Sequence, residues 1–153
     1  MEQKNVQQIS YRKKQITDIF LAELDKHLAD LKNGKVETSY GIKQIAELMF
    51  IDPNHLSDTV RKVLGKSPCS IFEEKLIDIC KNLIIHSEKP IGEIACTFDY
   101  EPSNFIKLFK RYTGTTPLKF RNHYFLNMIP ETEKIPFKQK RLLFSSYKAH
   151  LSL

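Results

Sequence analysis

Apolar residues recur along this chain at helical spacing, and part of the pattern occurs twice. Ile16, Ile19, Phe20, Leu24, Leu28 and Leu31 fall three or four positions apart and predict a helix over residues 16–31 with one buried face. Asn33-Gly34 ends it, because both residues tolerate the left-handed conformation that closes a helix. A polar stretch, residues 35–40, follows. The run Ile42-Lys-Gln-Ile-Ala-Glu-Leu-Met-Phe-Ile-Asp-Pro53 then aligns without a gap on Ile91-Gly-Glu-Ile-Ala-Cys-Thr-Phe-Asp-Tyr-Glu-Pro102, an offset of 49. At that offset Leu56 meets Phe105, Val60 meets Phe109, Gly65 meets Gly114 and Pro68 meets Pro117.

Each copy reads as a short helix, a turn and a second helix. Ile42, Ile45, Ala46 and Met49 form the apolar stripe of one short helix; Ile91, Ile94, Ala95 and Phe98 form that of the other. Asp52-Pro53 and Glu101-Pro102 place an acid before a proline at the first helical position. The second helices are expected over 53–64 and 102–113, stopped by Gly65 and Gly114. Ser67-Pro68 and Thr116-Pro117 open the next helices. Residues 68–87 read as one long connector, with Ile71, Phe72, Leu76, Ile79, Cys80, Leu83 and Ile84 inward and Glu73, Glu74, Lys75, Asp78 and Lys81 toward water. The expected fold is all-α and homeodomain-like: two helix-turn-helix subdomains, 42–64 and 91–113, on a connector helix. Residues 1–15 are expected to be a flexible end or linker and 125–153 a basic extension. Pro130 and Pro136 interrupt that extension, and 138–148 reads either as a last basic amphipathic helix or as unstructured chain.

Composition narrows the chemistry. The 153 residues are 41% hydrophobic and 27% charged with 5 Gly and 7 Pro, which excludes a disordered or fibrous chain. The net charge is +6, and the basic excess falls in residues 91–153, which favours nucleic acid or another anionic surface. Cys69, Cys80 and Cys96 make no C-x-x-C pair; they are expected to pack as small apolar groups in a reducing cytoplasm. His27, His86, His123 and His150 lack metal-ligand spacing and read as surface residues. No metal site or cofactor is expected. The opening 15 residues lack the apolar core of a secretory signal, and no apolar run approaches membrane-spanning length, so no membrane partner is expected. No phosphate loop, dinucleotide fingerprint, H-E-x-x-H or G-x-S-x-G occurs, so the expectation is no enzyme.

A helix-turn-helix lays its second helix in the DNA major groove while the first braces it. Ala46 and Ala95 are small enough for the crossing. The outer side then carries Asn54, His55, Ser57, Asp58, Arg61 and Lys62 in the first copy, and Ser103, Asn104, Ile106, Lys107, Lys110 and Arg111 in the second. Asn104 suits an adenine edge, Lys107 a guanine and Ile106 a thymine methyl, while Arg61, Lys62, Lys110 and Arg111 suit phosphates. Asn54, Ser103 and Asn104 read equally well as helix caps. Asp58 would accept from a cytosine amino group, pair with Arg61 or be repelled. Thr116, with the N–H groups that follow Ser67-Pro68 and Thr116-Pro117, suits a phosphate clamp. Arg121 reads as one half of a structural ion pair.

The doubled pattern, above all Ile94-Ala95, Asn104-Phe105, Phe109-Lys110, Gly114-Thr-Thr-Pro117 and Phe120-Arg121, resembles the AraC/XylS family DNA-binding domain over residues 16–124. The resemblance implies a bacterial transcriptional regulator, typically an activator, whose two reading helices enter successive major-groove segments on one face of double-stranded DNA. It also implies RNA polymerase as a candidate partner, and a sensor domain if this is the C-terminal piece of a longer protein rather than a stand-alone regulator. The competing reading is a helical protein-interaction module that does not bind DNA. Where the family has glycine in the turn, this chain has Phe50 and Asp99. Phe50 predicts either a distorted first turn or a first unit that docks differently, and Asp58 a weaker first reader, leaving the second unit as the stronger contributor.

Overall fold

The computed structural model describes residues 9–128, which contain helices and no strands. They are α1 (Tyr11–Lys32), α2 (Ile42–Leu48), α3 (Pro53–Leu64), α4 (Pro68–His86), α5 (Ile91–Thr97), α6 (Pro102–Thr113) and α7 (Pro117–Met128). The expected helix over 138–148 lies outside the described residues.

α1 begins five residues before the apolar stripe does. Ser10 caps it, its hydroxyl accepting from the Lys13 N–H, so residues 11–15 are helical rather than a loose end. At the other end of the domain, residues 125–128 complete α7 instead of starting an extension. Inside α1, Ile19 is 52% exposed, against expectation. Thr17 and His27 are buried beside Phe20, Leu24, Leu28 and Leu31, because the face presented to α2, α3 and α4 is turned away from Ile19. Thr17 satisfies its hydroxyl on the Lys13 carbonyl, 2.9 Å away.

The connector α4 is the hub. It packs against α1, α3, α5, α6 and α7. One continuous core runs from Leu24 and Leu28 through Ile45, Leu56 and Val60, across Leu76, Ile77, Cys80 and Ile84, to Ile94, Phe98, Phe105 and Phe109. The two helix pairs therefore share a single interior. Of the cysteines only Cys80 packs as a small apolar group, and burial pushes its thiol up to about 12. Cys69 and Cys96 are exposed: each sits on the outer side of its helix.

The two turns have the same geometry, which corrects the expected distortion of the first. Phe50 has φ 55° and Asp99 φ 59°. In each turn the left-handed residue donates its N–H three residues back, Phe50 to Glu47 and Asp99 to Cys96, and the next N–H reaches the alanine carbonyl, Ile51 to Ala46 and Tyr100 to Ala95, at 3.0–3.1 Å. The Phe50 side chain is 97% exposed, so the ring meets nothing that would forbid this backbone. Gly65 and Gly114 close α3 and α6 at φ 70° and 79°.

His27 is also not a surface residue. It is buried, its ring stacked on Tyr40 at 4.2 Å and 9°, and its Nε2 accepts the Tyr40 N–H at 2.8 Å. Burial holds its pKa below the usual value, outweighing the nearby Asp30.

Candidate nucleic-acid interface

α3 and α6 occupy the spans that the proline and glycine punctuation predicts, and each buries one side. Leu56, Thr59 and Val60 face inward from α3; Phe105, Leu108 and Phe109 face inward from α6. The outer side of α3 exposes Asn54, His55, Asp58, Arg61 and Lys62, with Ser57 half-buried. That of α6 exposes Ser103, Asn104, Ile106, Lys107, Lys110 and Arg111. The fold thus brings each predicted set together on one helix face.

The capping role belongs elsewhere than expected. Asp52 Oδ1 accepts from the N–H groups of Asn54 and His55 at 2.9 and 3.0 Å. Asn54 therefore sits inside the helix with its amide side chain free of that task. Ser103 and Asn104 likewise follow Pro102 within α6 and cap nothing; the cap position holds Glu101, whose longer side chain makes no cap bond. Thr116 is half-buried and its Oγ1 accepts the Lys119 N–H at 3.4 Å, capping α7.

Charge pairing separates the cations. Asp58 and Arg61 form no ion pair with each other, although they lie one turn apart. Arg111 is held within the protein. Its Nη2 donates to Glu73 Oε2 at 2.7 Å, and the Tyr112 hydroxyl donates to the same oxygen at 2.7 Å. The guanidinium also lies 5.4 Å from the Tyr112 ring centroid. Glu73 and the neighbouring ring raise the pKa of Arg111, and burial followed by Glu73 pushes the Tyr112 phenol up to about 12. Among the described residues Arg61, Lys62, Lys107 and Lys110 have no such partner, so these four are the outward-facing Lys and Arg of α3 and α6 left unpaired.

Two further links tie distant parts of the chain together: one joins the two helix pairs, and the other ties α7 to the end of α4. The Ser39 N–H, in the loop before α2, donates to Asp99 Oδ2 in the second turn at 2.9 Å. Arg121 interacts electrostatically with the Glu88 carboxylate, in line with the expected structural role, while burial holds its pKa below the usual value. It donates from Nε to the Ile84 carbonyl at 2.8 Å and from Nη2 to the carbonyls of Lys89 and Ser87 at 2.8 and 3.4 Å. These oxygens end α4 and begin the following loop, where helical partners have run out. Both links join residues more than 30 positions apart, and no local signal announces them. Among the described residues no three His, Cys, Asp or Glu groups gather as a metal site, and no helix is long and apolar enough to cross a membrane.

A family model described as a helix-turn-helix domain matches residues 45–123. The chain is 31% identical over 81 residues to the bifunctional transcriptional activator/DNA repair enzyme AdaA of Bacillus subtilis, covering 52% of this chain and 38% of that protein. It is 28% identical over 99 residues to the arabinose operon regulatory protein of Escherichia coli, covering 64% and 32%. It is 40% identical over 85 residues to the HTH-type transcriptional activator FapR of Escherichia coli, covering 52% and 30%. The chain thus spans about a third of the length of the curated relatives it matches. Among solved structures it resembles the C-terminal domain of AraT, a response regulator from Geobacillus stearothermophilus, with TM-score 0.61, 21% identity and coverage of 85% and 97%. The DNA-binding domain of AdpA in complex with a target DNA gives TM-score 0.61 at 17% identity, covering 71% and 95%. At those identities the structures share the fold.

Proposed function

This chain belongs to the AraC-type helix-turn-helix family, and from that premise we propose that it binds double-stranded DNA sequence-specifically and regulates transcription, as an activator. The observation that carries the reading is the pair of amphipathic helices, α3 and α6, each buried on one side and polar or cationic on the other. In this reading residues 16–124 form the DNA-binding unit and the two helices enter successive major-groove segments, about 34 Å apart. Asn54, His55, Ser57, Ser103, Asn104, Ile106 and Lys107 face bases, and Arg61, Lys62, Lys110 and the α7 N-terminus at Thr116 face phosphates. Arg111 supports α6 through Glu73 and reaches a phosphate only by leaving that pair. Contact with RNA polymerase, a sensor module elsewhere in the polypeptide and a cytoplasmic location belong to the same proposal; reading the coding sequence upstream of Met1 tests the sensor.

Selection from random duplexes tests the core of it. An enriched motif with two half-sites is expected; no enrichment overturns it. With about six phosphates neutralised, log K falls with log salt at a slope of roughly −5. Lys107→Ala relaxes base preference at one position by about 1–3 kcal/mol, whereas Lys110→Ala weakens all sequences alike.

A further inference from the structure

A cleft of about 470 Å³ opens where the two helix pairs meet. Its floor is core: Phe20, Leu24 and Ile45. Aromatic walls rise from three different elements, Tyr40 from the loop before α2, Phe72 from α4 and Tyr100 from the second turn. Tyr40 is held by its stack on His27, and the Tyr100 and Phe72 side chains pack against the core. A volume of this size, mostly apolar with a few convergent polar groups, matches small-molecule sites, which run about 300–1,000 Å³.

The polar groups select the ligand. Arg61 is the one charged side chain among the lining residues, no carboxylate lines the cleft, and Arg61 has no ion-pair partner. The Ser57 hydroxyl stands one turn before it on α3. We infer that this cleft binds a small aromatic monocarboxylate, its ring between the aromatic walls and its carboxylate on the Arg61 guanidinium. A guanidinium offers a carboxylate two parallel donors, and the apolar floor rewards a ring that a bare anion lacks. Burial and the negative neighbours, Glu73 first among them, push the Tyr100 phenol up to about 12, so it stays a hydrogen-bond donor to an anion at ordinary pH. Because Arg61 also lies on the outer face of α3, a bound acid withdraws one cation from that face.

The test uses the full chain without DNA, so it stands or falls separately from the proposed DNA binding. 2-Naphthoate is titrated and followed by amide NMR. Saturable shifts are expected at Tyr40, Gly41, Cys69 and Tyr100. The neutral analogue 2-naphthylmethanol, and 2-naphthoate with Arg61→Gln, are each expected to bind about tenfold more weakly, the loss of one charge-assisted pair. Cys69→Trp, at an exposed lining position, blocks entry and abolishes the shifts. Absence of saturation at millimolar 2-naphthoate overturns the inference, as does equal affinity for the alcohol or an unchanged affinity in Arg61→Gln.

Discussion

Phe50 holds a backbone conformation that costs an L-residue about 1–2 kcal/mol relative to glycine. Phe50→Gly removes that strain and adds the entropy glycine loses on folding, so a net gain of roughly 0.5–1 kcal/mol is expected, read as a higher denaturant midpoint. The sequence marks Phe50 as misplaced, yet the hydrogen bonds around the turn prevail, since they are shared with the Asp99 turn and the ring stands in solvent. His27 makes the opposite point. Nothing local distinguishes it from His86 or His123; it is buried because Tyr40, 13 residues on, returns to stack on it. Its folded pKa lies below the unfolded value of 6.5, so the unfolded chain binds the proton more readily. The stabilisation is complete above pH 6.5 and is lost as pH falls through the folded value. Denaturant midpoints at pH 7.5 and 5 are expected to differ, and to differ less in His27→Gln.

The helices themselves were the most legible part, because proline, glycine and capping signals act within four residues of where they stand. α3 and α6 follow those signals at both ends. The start of α1 was less legible, since Ser10 caps it ahead of any apolar periodicity. The two acids before the prolines look equivalent in the sequence, but only Asp52 is short enough to fold back onto the N–H groups. Asp52→Ala is therefore expected to cost about 1 kcal/mol, Glu101→Ala nearly nothing, and Glu101→Asp to stabilise, all by thermal melting. The outward faces followed from the same amphipathic pattern. Which of their cations is already paired did not, because Glu73 lies 38 residues before Arg111 in the chain.

Across the whole molecule, the repeat gave two units and the structure gives one interior. Core residues of α2, α3, α5 and α6 join through Leu76, Ile77 and Ile84 of α4. Leu76→Ala is expected to lower stability by about 2–5 kcal/mol, and calorimetry should show both units melting in a single transition; two separate transitions would contradict a shared core. The position of α4 between the two helix pairs has a consequence for the proposed operator. Because α3 and α6 both pack against α4 within one core, the connector holds the two readers at a fixed relative angle. In the proposed reading the distance between half-sites is then inherited separately from the letters within them: α4 is the ruler, and the outward faces of α3 and α6 are the alphabet.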